Sequence, residues 1–405
     1  MALAGAALSA TATAALNVVG IAGTVIAASE VVLALTFTLS LLVACGGLVC
    51  LYRDARVAAG KVSLFALSAT RMPRPGLLSR LGLRFLFGPA PRPGDVVRVR
   101  TVAEINQSLS ADGTLDGLPF MAEMKPFCGQ TFRVHRRVDK INDMRHKTGL
   151  RRMHGAVTLT DVRCSGADHG GCQAECQILW KDSWLLGMPV GSPLTAQPSS
   201  AESLAPLPAS PDPGGDEHVY VCQMTRLWEA SQPMSPFDIR QDLRPLLWGN
   251  IGLGGYLVAM LTRLFNEAQR LRGGSDFPAM PTPTGDRPTT VPDARLADGQ
   301  PVQVRSREGI AATLKNSRAR GLWFDRDMVR FCGRPAVLRK HVHRVIHEAT
   351  GAMVVMKSPC VTLDNVVATG EFLRLCSQHE YIFWRETWLQ PVVGDRFGAS
   401  FAASD

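Results

Sequence analysis

Three cysteines and one histidine lie within a single short stretch of the sequence: Cys164, His169, Cys172 and Cys176. Their spacing is Cys-x4-His-x2-Cys-x3-Cys, and thiolate sulfur and imidazole nitrogen are the usual ligands of zinc in tetrahedral structural sites. Three glycines lie in the same stretch, and glycine lets the backbone turn tightly because it tolerates positive φ. The sequence therefore predicts one Zn²⁺ ion bound by these four side chains.

The spacing also bears on the class of metal site. A closed set of four protein ligands leaves no coordination position for water, so the pattern favours a structural zinc over a hydrolytic one. An iron–sulfur cluster is the alternative, because cysteine thiolates are its usual ligands, and free buried thiols are a third interpretation. The gap between Cys172 and Cys176 is typical of the first turn of a helix, which we expect to present Trp180 and Trp184.

Other catalytic patterns are weak in this sequence. It contains no Walker loop, no Rossmann glycine fingerprint after a strand and no Gly-x-Ser-x-Gly elbow. Cys128 and Cys332 each follow a phenylalanine, which favours small buried core residues over nucleophiles. Asp139, His146 and His343 would suit a polar pocket, although exposed surface decoration explains them as well. The catalytic residues of an enzyme are therefore unknown at this point.

The sequence also contains an internal repeat. The segment GLPFMAEMKPFCG is echoed 204 residues later by GLWFDRDMVRFCG, and CQAECQILWKDSWL is echoed at the same offset by CSQHEYIFWRETWL. Further matches keep nearly this offset over about 90 positions, and self-similarity in a fixed register indicates a duplicated structural unit. Two homologous units are therefore predicted, at 94–187 and 299–391.

The second copy has lost most of the predicted metal ligands. Three of the four positions are changed, to Ala368, Leu373 and Glu380, and only Cys376 remains. We therefore expect no metal at the equivalent place. The alternative is a different site in this copy, built from Cys332, Cys360, Cys376 and His379.

Hydrophobic alternation with a period of two predicts that each unit is mainly β-sheet, as at Val97 and Val99. Short helices are expected at 102–109 and 307–314. A unit of this length with several short strands and glycine-marked turns is typical of a small SH3-like barrel. The predicted fold class is mainly β, with two homologous SH3-like barrels joined by a helical segment and preceded by an N-terminal transmembrane helix.

Composition predicts the structure of the segments outside the two repeats. Pro-, Ser- and Gly-rich stretches are typical of linkers, and the apolar run from 239 to 271 is predicted to be mostly helical. The expected organisation outside the repeats is a membrane anchor at 1–57, a Pro/Arg-rich linker at 58–93, a flexible linker at 188–217, a strand (218–227) plus apolar helix within 218–272, a Pro-rich linker at 273–298 and a tail at 392–405.

The N-terminal segment predicts membrane attachment. Residues 31–52 carry no charge, and a helix of about 20 apolar residues spans the hydrocarbon core. A second, weaker span within 2–29 stays open. Arg53 and Arg56 follow the span, so the positive-inside rule places the later domains in the cytoplasm. Ten cysteines in 405 residues are too few for a disulfide scaffold, which agrees with a reducing compartment.

The motifs quoted above, together with TGLRRMHGAVTL and LFNEAQRLRGG, resemble a family of uncharacterised bacterial proteins that carry the same duplicated unit with its cysteines and histidine. The similarity covers residues 94–390 and leaves the N-terminal segment outside. It implies the SH3-like duplication and a setting near polysaccharide or secondary-metabolite biosynthesis, and it implies no mechanism.

Two functions are consistent with the sequence. The first is a membrane-anchored, zinc-binding accessory or scaffold protein with protein partners, facing the cytoplasm. The alternative is an enzyme of specialised metabolism with a pocket between the two repeats. The net charge of +9 allows contact with anionic lipid or nucleic acid, but arginines are not interleaved with aromatic residues, which disfavours nucleic acid.

Overall fold

The structure is a computed structural model, and it describes residues 38, 40–53, 90–189, 191–194, 219–235, 237–282 and 295–392. The chain divides into two compact units. The smaller comprises Met1–Ala55 and Met260–Phe277, and the larger comprises Arg56–Ala259 and Pro278–Asp405. The predicted anchor, the linkers at 58–93 and 188–217, and the tail at 392–405 each lie mostly outside the described residues.

Helical segments of the smaller unit pack closely. A Cβ at Gly46 would stand 2.5 Å from the carbonyl oxygen of Leu261, so the glycine permits the approach of the two backbones. Arg53 donates a hydrogen bond to Thr262 Oγ1 at 3.2 Å. Within the described part of the chain, no helix is both long and apolar enough to cross a membrane. The predicted span at 31–52 begins outside that part, so it stays a prediction.

Antiparallel β-sheet dominates the described part of the larger unit. The strands are β1 Val96–Val99, β2 Thr114–Leu115, β3 Leu118–Pro119, β4 Thr131–Asp143, β5 Gly149–Leu159, β6 Trp180–Lys181, β7 Leu185–Gly187, β8 Ser231–Pro233, β9 Pro301–Val304, β10 Arg318–Ala319, β11 Leu322–Trp323, β12 Pro335–Ile346, β13 Met353–Leu363 and β14 Leu389–Pro391. The helices of the described chain are α1 at 40–53, α2 Val102–Asn106, α3 Arg240–Trp248, α4 Leu253–Leu271 and α5 Arg307–Ala311.

The two repeats share one order of elements. The first forms a sheet with the order β6-β5-β4-β1-β7, in which β8 also pairs with β5, and the second forms a sheet with the order β13-β12-β9-β14. In each repeat a long hairpin, β4–β5 or β12–β13, pairs with a short first strand, β1 or β9, which in turn pairs with the last, β7 or β14. The prediction of a mainly β protein is confirmed.

Tryptophans fill the core of each repeat at equivalent positions. Trp180 and Trp184 in the first repeat have no exposed surface, and the same holds for Trp384 and Trp388 in the second. Phe120 meets Trp184 edge-on at a centroid distance of 5.4 Å, as Phe324 meets Trp388 at 5.3 Å. The indole N–H groups of Trp184 and Trp388 donate to the hydroxyls of Ser108 and Thr313.

Two local predictions are wrong. No helix begins at Cys172: the chain has no regular structure until β6, where Trp180 pairs with Val157, because the sheet supplies its backbone hydrogen bonds. The predicted strand at 218–227 is not formed in its described part, residues 219–227, either. Val219 bridges to Ala352 of the second repeat, and β8 supplies the returning strand. The helices predicted at 102–109, 307–314 and 239–271 are confirmed, with shorter bounds.

The tip of the β4–β5 hairpin depends on one carboxylate. Asp143 accepts hydrogen bonds from the backbone N–H groups of Arg145, His146 and Thr148 and from the Thr148 hydroxyl, at 2.7 to 3.0 Å. Burial by itself raises the pKa of Asp143, but these bonds outweigh it and lower the pKa from 3.8 to about 2. The carboxylate therefore stabilises the fold at neutral pH.

Replacing Asp143 by asparagine should lower the free energy of unfolding at pH 7 by about 1 to 2 kcal/mol. A depressed pKa in the folded state stabilises above the ordinary pKa, and this contribution is lost as the pH falls from about 4 to about 2. The difference between wild type and D143N in urea unfolding should therefore shrink from pH 7 to pH 3. An equal difference at both pH values would contradict this role.

Candidate metal centre and inter-repeat pocket

The Cys/His stretch forms a closed loop that backbone hydrogen bonds define. The N–H of Cys164 donates to the carbonyl of Cys176 at 2.9 Å, which ties the two ends together. Inside the loop, the N–H groups of His169 and Gly171 both donate to the carbonyl of Gly166 at 3.0 Å. These turns bring His169 back toward Cys164.

Gly166 allows this loop to close. Its φ of +73° lies in the left-handed region, and a Cβ there would stand less than 3.0 Å from the backbone of Cys172. Gly370 of the second repeat has the same conformation and meets the backbone of Cys376 in the same way. Only glycine tolerates both the positive φ and the close approach of another backbone. The two repeats therefore share this loop, although Ala368 and Leu373 replace Cys164 and His169 in the second.

The loop delivers two of its predicted ligands to a third residue, Glu123, which lies in a 3₁₀ turn at Ala122–Phe127. The Cys164 thiol donates to Glu123 Oε2 at 2.7 Å. His169 Nδ1 lies 2.9 Å from Glu123 Oε1, to which the N–H of Asp168 also donates at 3.0 Å. One ligand atom from each of Glu123, Cys164 and His169 lies within 4.8 Å of the other two, so the group could hold a metal ion.

Glu123 is ionised in this environment. Burial by itself raises the pKa of its carboxyl group, but hydrogen bonds from His169 and Cys164 outweigh burial and lower the pKa to about 2. The side chains of Glu123 and His169 are almost inaccessible to solvent. A buried negative charge of this kind is costly unless a cation accompanies it.

The group that could hold a metal ion differs from the four-residue set predicted from the sequence. Cys172 and Cys176 lie outside the group, and Cys172 Sγ instead accepts a hydrogen bond from the N–H of Ile346 at 3.4 Å. Cys176 is half-buried on the pocket wall, and burial raises the pKa of its thiol well above the ordinary value. The sequence reasoning did not include the acidic member of this group, although both repeats carry an acidic residue at this position: Glu123 and Asp327.

The second repeat shows how the residue equivalent to Glu123, Asp327, is paired with a positive charge. Asp327 forms an ion pair with Arg330 at 2.9 Å and accepts hydrogen bonds from the N–H and hydroxyl of Thr369. Arg330 also reaches Glu371 at 3.2 Å. A guanidinium thus accompanies the acidic group in this repeat and is shared with Glu371. In the first repeat, Pro126 occupies the position of Arg330, so this source of positive charge is missing.

The thiol of Cys164 is not set up as a nucleophile. Its proton is directed to Glu123, and no imidazole nitrogen accepts it. Burial, followed by the hydrogen bond to Glu123, raises the pKa of the thiol well above its ordinary value. Since the thiolate is the nucleophilic form, the arrangement does not favour covalent catalysis by Cys164.

The other candidate residues of the sequence lie elsewhere. His146 packs on Trp228 with a centroid distance of 4.1 Å, Asp139 is buried on β4, and His343 is exposed on β12. Cys128 is a buried core residue, as expected, and Cys332 is half-buried. Among the described residues, the alternative set in the second repeat forms no metal-binding group.

A pocket of about 500 Å³ lies between the two repeats. Cys164 and His169 are on its wall, whereas Asp139, His146 and His343 are not. Most of the remaining wall is apolar or sulfur-containing: Met121, Met144, Cys172, Ala174, Cys176, Cys222, Met224, Val345, Ile346, Ala349, Val354, Tyr381 and Phe383. The candidate metal group therefore borders a cavity that can hold a small organic molecule.

Comparisons with known proteins add no assignment: no family model matches the chain, and no curated protein matches it significantly. The bacterial family suggested by the sequence motifs stays a prediction.

Proposed function

We propose that the protein binds one zinc ion at Glu123, Cys164 and His169 and that it acts as a metal-dependent enzyme on a small, largely apolar molecule held in the inter-repeat pocket. The observation that supports this most is that two members of the Glu123, Cys164 and His169 group, Cys164 and His169, lie on the wall of the pocket. Four protein ligands characterise structural zinc, whereas three leave one coordination position for water or substrate.

The donor set fits zinc. Sulfur, imidazole nitrogen and carboxylate oxygen all bind Zn²⁺ at about 2.0 to 2.3 Å, and the three donor atoms are close enough to share one ion. An iron–sulfur cluster is disfavoured because only one thiol belongs to the group, whereas such clusters use several thiolates. When bound, the ion would supply Lewis acidity. The apolar wall would limit the access of water, which strengthens electrostatic interactions within the pocket.

Metal content per chain tests the proposal. Full-length protein purified without chelator should contain one zinc, and the variants Glu123→Gln, Cys164→Ser and His169→Asn should each lose it. Cys172→Ser and Asp327→Asn are the matched controls, and both should keep the metal. Elemental analysis measures zinc and iron on the same samples.

Three results would contradict the assignment. Absence of stoichiometric metal from the wild type would remove the site. Equal loss from Cys172→Ser and Cys164→Ser would restore the four-ligand set predicted from the sequence. Iron together with labile sulfide would show that the site holds an iron–sulfur cluster instead of zinc.

A membrane-anchored scaffold with protein partners in the cytoplasm is the second candidate. Phe237 and Ile239 support it, because these two apolar side chains lie two positions apart in the chain and are 90% and 73% exposed, so they are available to a partner. The scaffold function is favoured over the enzyme if the protein binds zinc but no small molecule binds in the pocket. Membrane attachment through 31–52 and the SH3-like nature of the repeats are parts of the proposal in either case.

A further inference from the structure

The pocket carries a carboxylate without a partner. Glu348 lies in the turn between β12 and β13 and is part of the pocket wall. None of the described residues donates a hydrogen bond to it, and Lys147, the lysine on the same wall, forms no ion pair with it. Burial, acting alone, raises the pKa of Glu348 to about 7. An unpaired acid in an apolar cavity is costly unless a ligand compensates for it.

Two further acceptors lie on the same wall. Gln177 is only 7% exposed, and its side-chain oxygen is buried without a hydrogen-bond partner. Glu380 accepts hydrogen bonds from the N–H of Gln177, and its nearest cation, Arg163, stands at 3.7 Å. Burial raises the pKa of Glu380 to about 8, and the charge of Glu348 contributes to the rise. This wall thus offers several acceptors, and burial lets its two carboxyl groups ionise readily only when a cation accompanies them.

Buried amide oxygens are rarely left unpaired in folded proteins. The missing group is therefore a hydrogen-bond donor with a positive charge, because the two nearby carboxyl groups favour a cation. Much of the rest of the wall is built from methionine, cysteine, valine, isoleucine and aromatic side chains, and Lys147, Gln223 and His347 are among its other polar members. The apolar side chains accept an apolar body.

We infer that the ligand of the pocket is an apolar primary amine whose ammonium group pairs with Glu348 and donates to Gln177. This inference rests on the proposed small-molecule function and names its substrate class. The ammonium would convert the unpartnered carboxyl group of the half-buried Glu348 into half of an ion pair, and the alkyl or aryl body would fill the cavity of about 500 Å³. A three-donor ammonium also suits several acceptors on one wall.

Isothermal titration of the full-length, zinc-loaded protein tests the inference with three probes of equal chain length: hexylamine, hexan-1-ol and hexanoate. Hexylamine should bind at least about tenfold more tightly than the alcohol, and hexanoate should not bind. Glu348→Gln should weaken hexylamine by about tenfold or more and leave the alcohol unchanged. Glu229→Gln, which removes a surface carboxylate outside the pocket, is the control and should change neither affinity.

Glu348→Gln should fold normally, since it removes an unpartnered acid, and its melting temperature should equal or exceed that of the wild type. If the alcohol or hexanoate binds as tightly as the amine, if Glu348→Gln leaves amine binding unchanged, or if no probe binds, the inference is overturned. The zinc content of the same samples is measured separately. A failure of the metal assignment is therefore distinguishable from a failure of the amine assignment.

Discussion

Replacement of Gly166 by alanine should abolish stoichiometric zinc binding and lower the free energy of unfolding by about 2 to 4 kcal/mol. The new Cβ would collide with the backbone of Cys172, which cannot move aside as a flexible side chain can. The positive φ of +73° adds strain for any residue with a Cβ. Because Gly166 lies between Cys164 and His169, the loop must open and separate the two ligands from Glu123.

Two other glycines provide matched controls for this variant. Gly171 has the same φ of +73°, but its nearest neighbour is the Arg344 side chain at 4.0 Å. Gly171→Ala should therefore show the cost of φ alone, about 1 kcal/mol, and keep the metal. Gly370→Ala should destabilise the second repeat as strongly as Gly166→Ala destabilises the first, without loss of zinc. Urea unfolding and metal analysis of the three variants measure both effects. Retention of zinc in Gly166→Ala would contradict the loop geometry.

Truncation of a core tryptophan should give the largest loss of stability. Trp180→Ala and Trp384→Ala are each expected to lower the free energy of unfolding by about 3 to 5 kcal/mol. Both indoles are fully buried. Trp180 packs edge-on against Phe120 and Phe127 at 6.3 and 6.2 Å. Trp384 does so against Phe324 and Phe331 at 6.3 and 6.0 Å. The cavity left by either indole would be lined by the same kinds of side chain, so the two costs should be similar.

Trp323 is the control for this pair. It lies on β11 with 51% of its surface exposed, so Trp323→Ala should change the free energy of unfolding by less than about 0.5 kcal/mol. Chemical denaturation at pH 7 compares the three variants. A cost at Trp384 far below that at Trp180 would contradict the equivalence of the two cores.

The sequence alone determined the architecture of the repeats. Hydrophobic alternation marked the strands around Val97 and Val99, because the two faces of a strand meet different environments. The register of the duplication placed Trp180 and Trp384 at equivalent positions. Glycine marked turns such as Gly166, since few other residues tolerate positive φ. These features depend on local periodicity and backbone preference, which a single sequence displays directly.

Tertiary structure decided the composition of the candidate site. Glu123 lies 41 residues before Cys164, and nothing in the spacing of the cysteines indicates it. The spacing of Cys172 and Cys176 resembles a ligand pattern, yet the backbone hydrogen bond between Cys164 and Cys176 sets the course of the loop. The second repeat makes the same bond between Ala368 and Glu380 without those ligands. Side-chain direction follows from these backbone bonds rather than from residue type.

Local sequence patterns could not predict the pocket either. Its wall combines the Cys/His loop of the first repeat with the hairpin turn around Glu348 and the segment around Glu380 of the second. Contacts such as the hydrogen bond from the N–H of Gln173 to the carbonyl of Arg344 hold these parts together. Such contacts join residues far apart in the chain, and hydrophobic periodicity carries no information about them. The sequence thus specified each repeat, whereas the packing of one repeat against the other created the cavity and its unpaired acid.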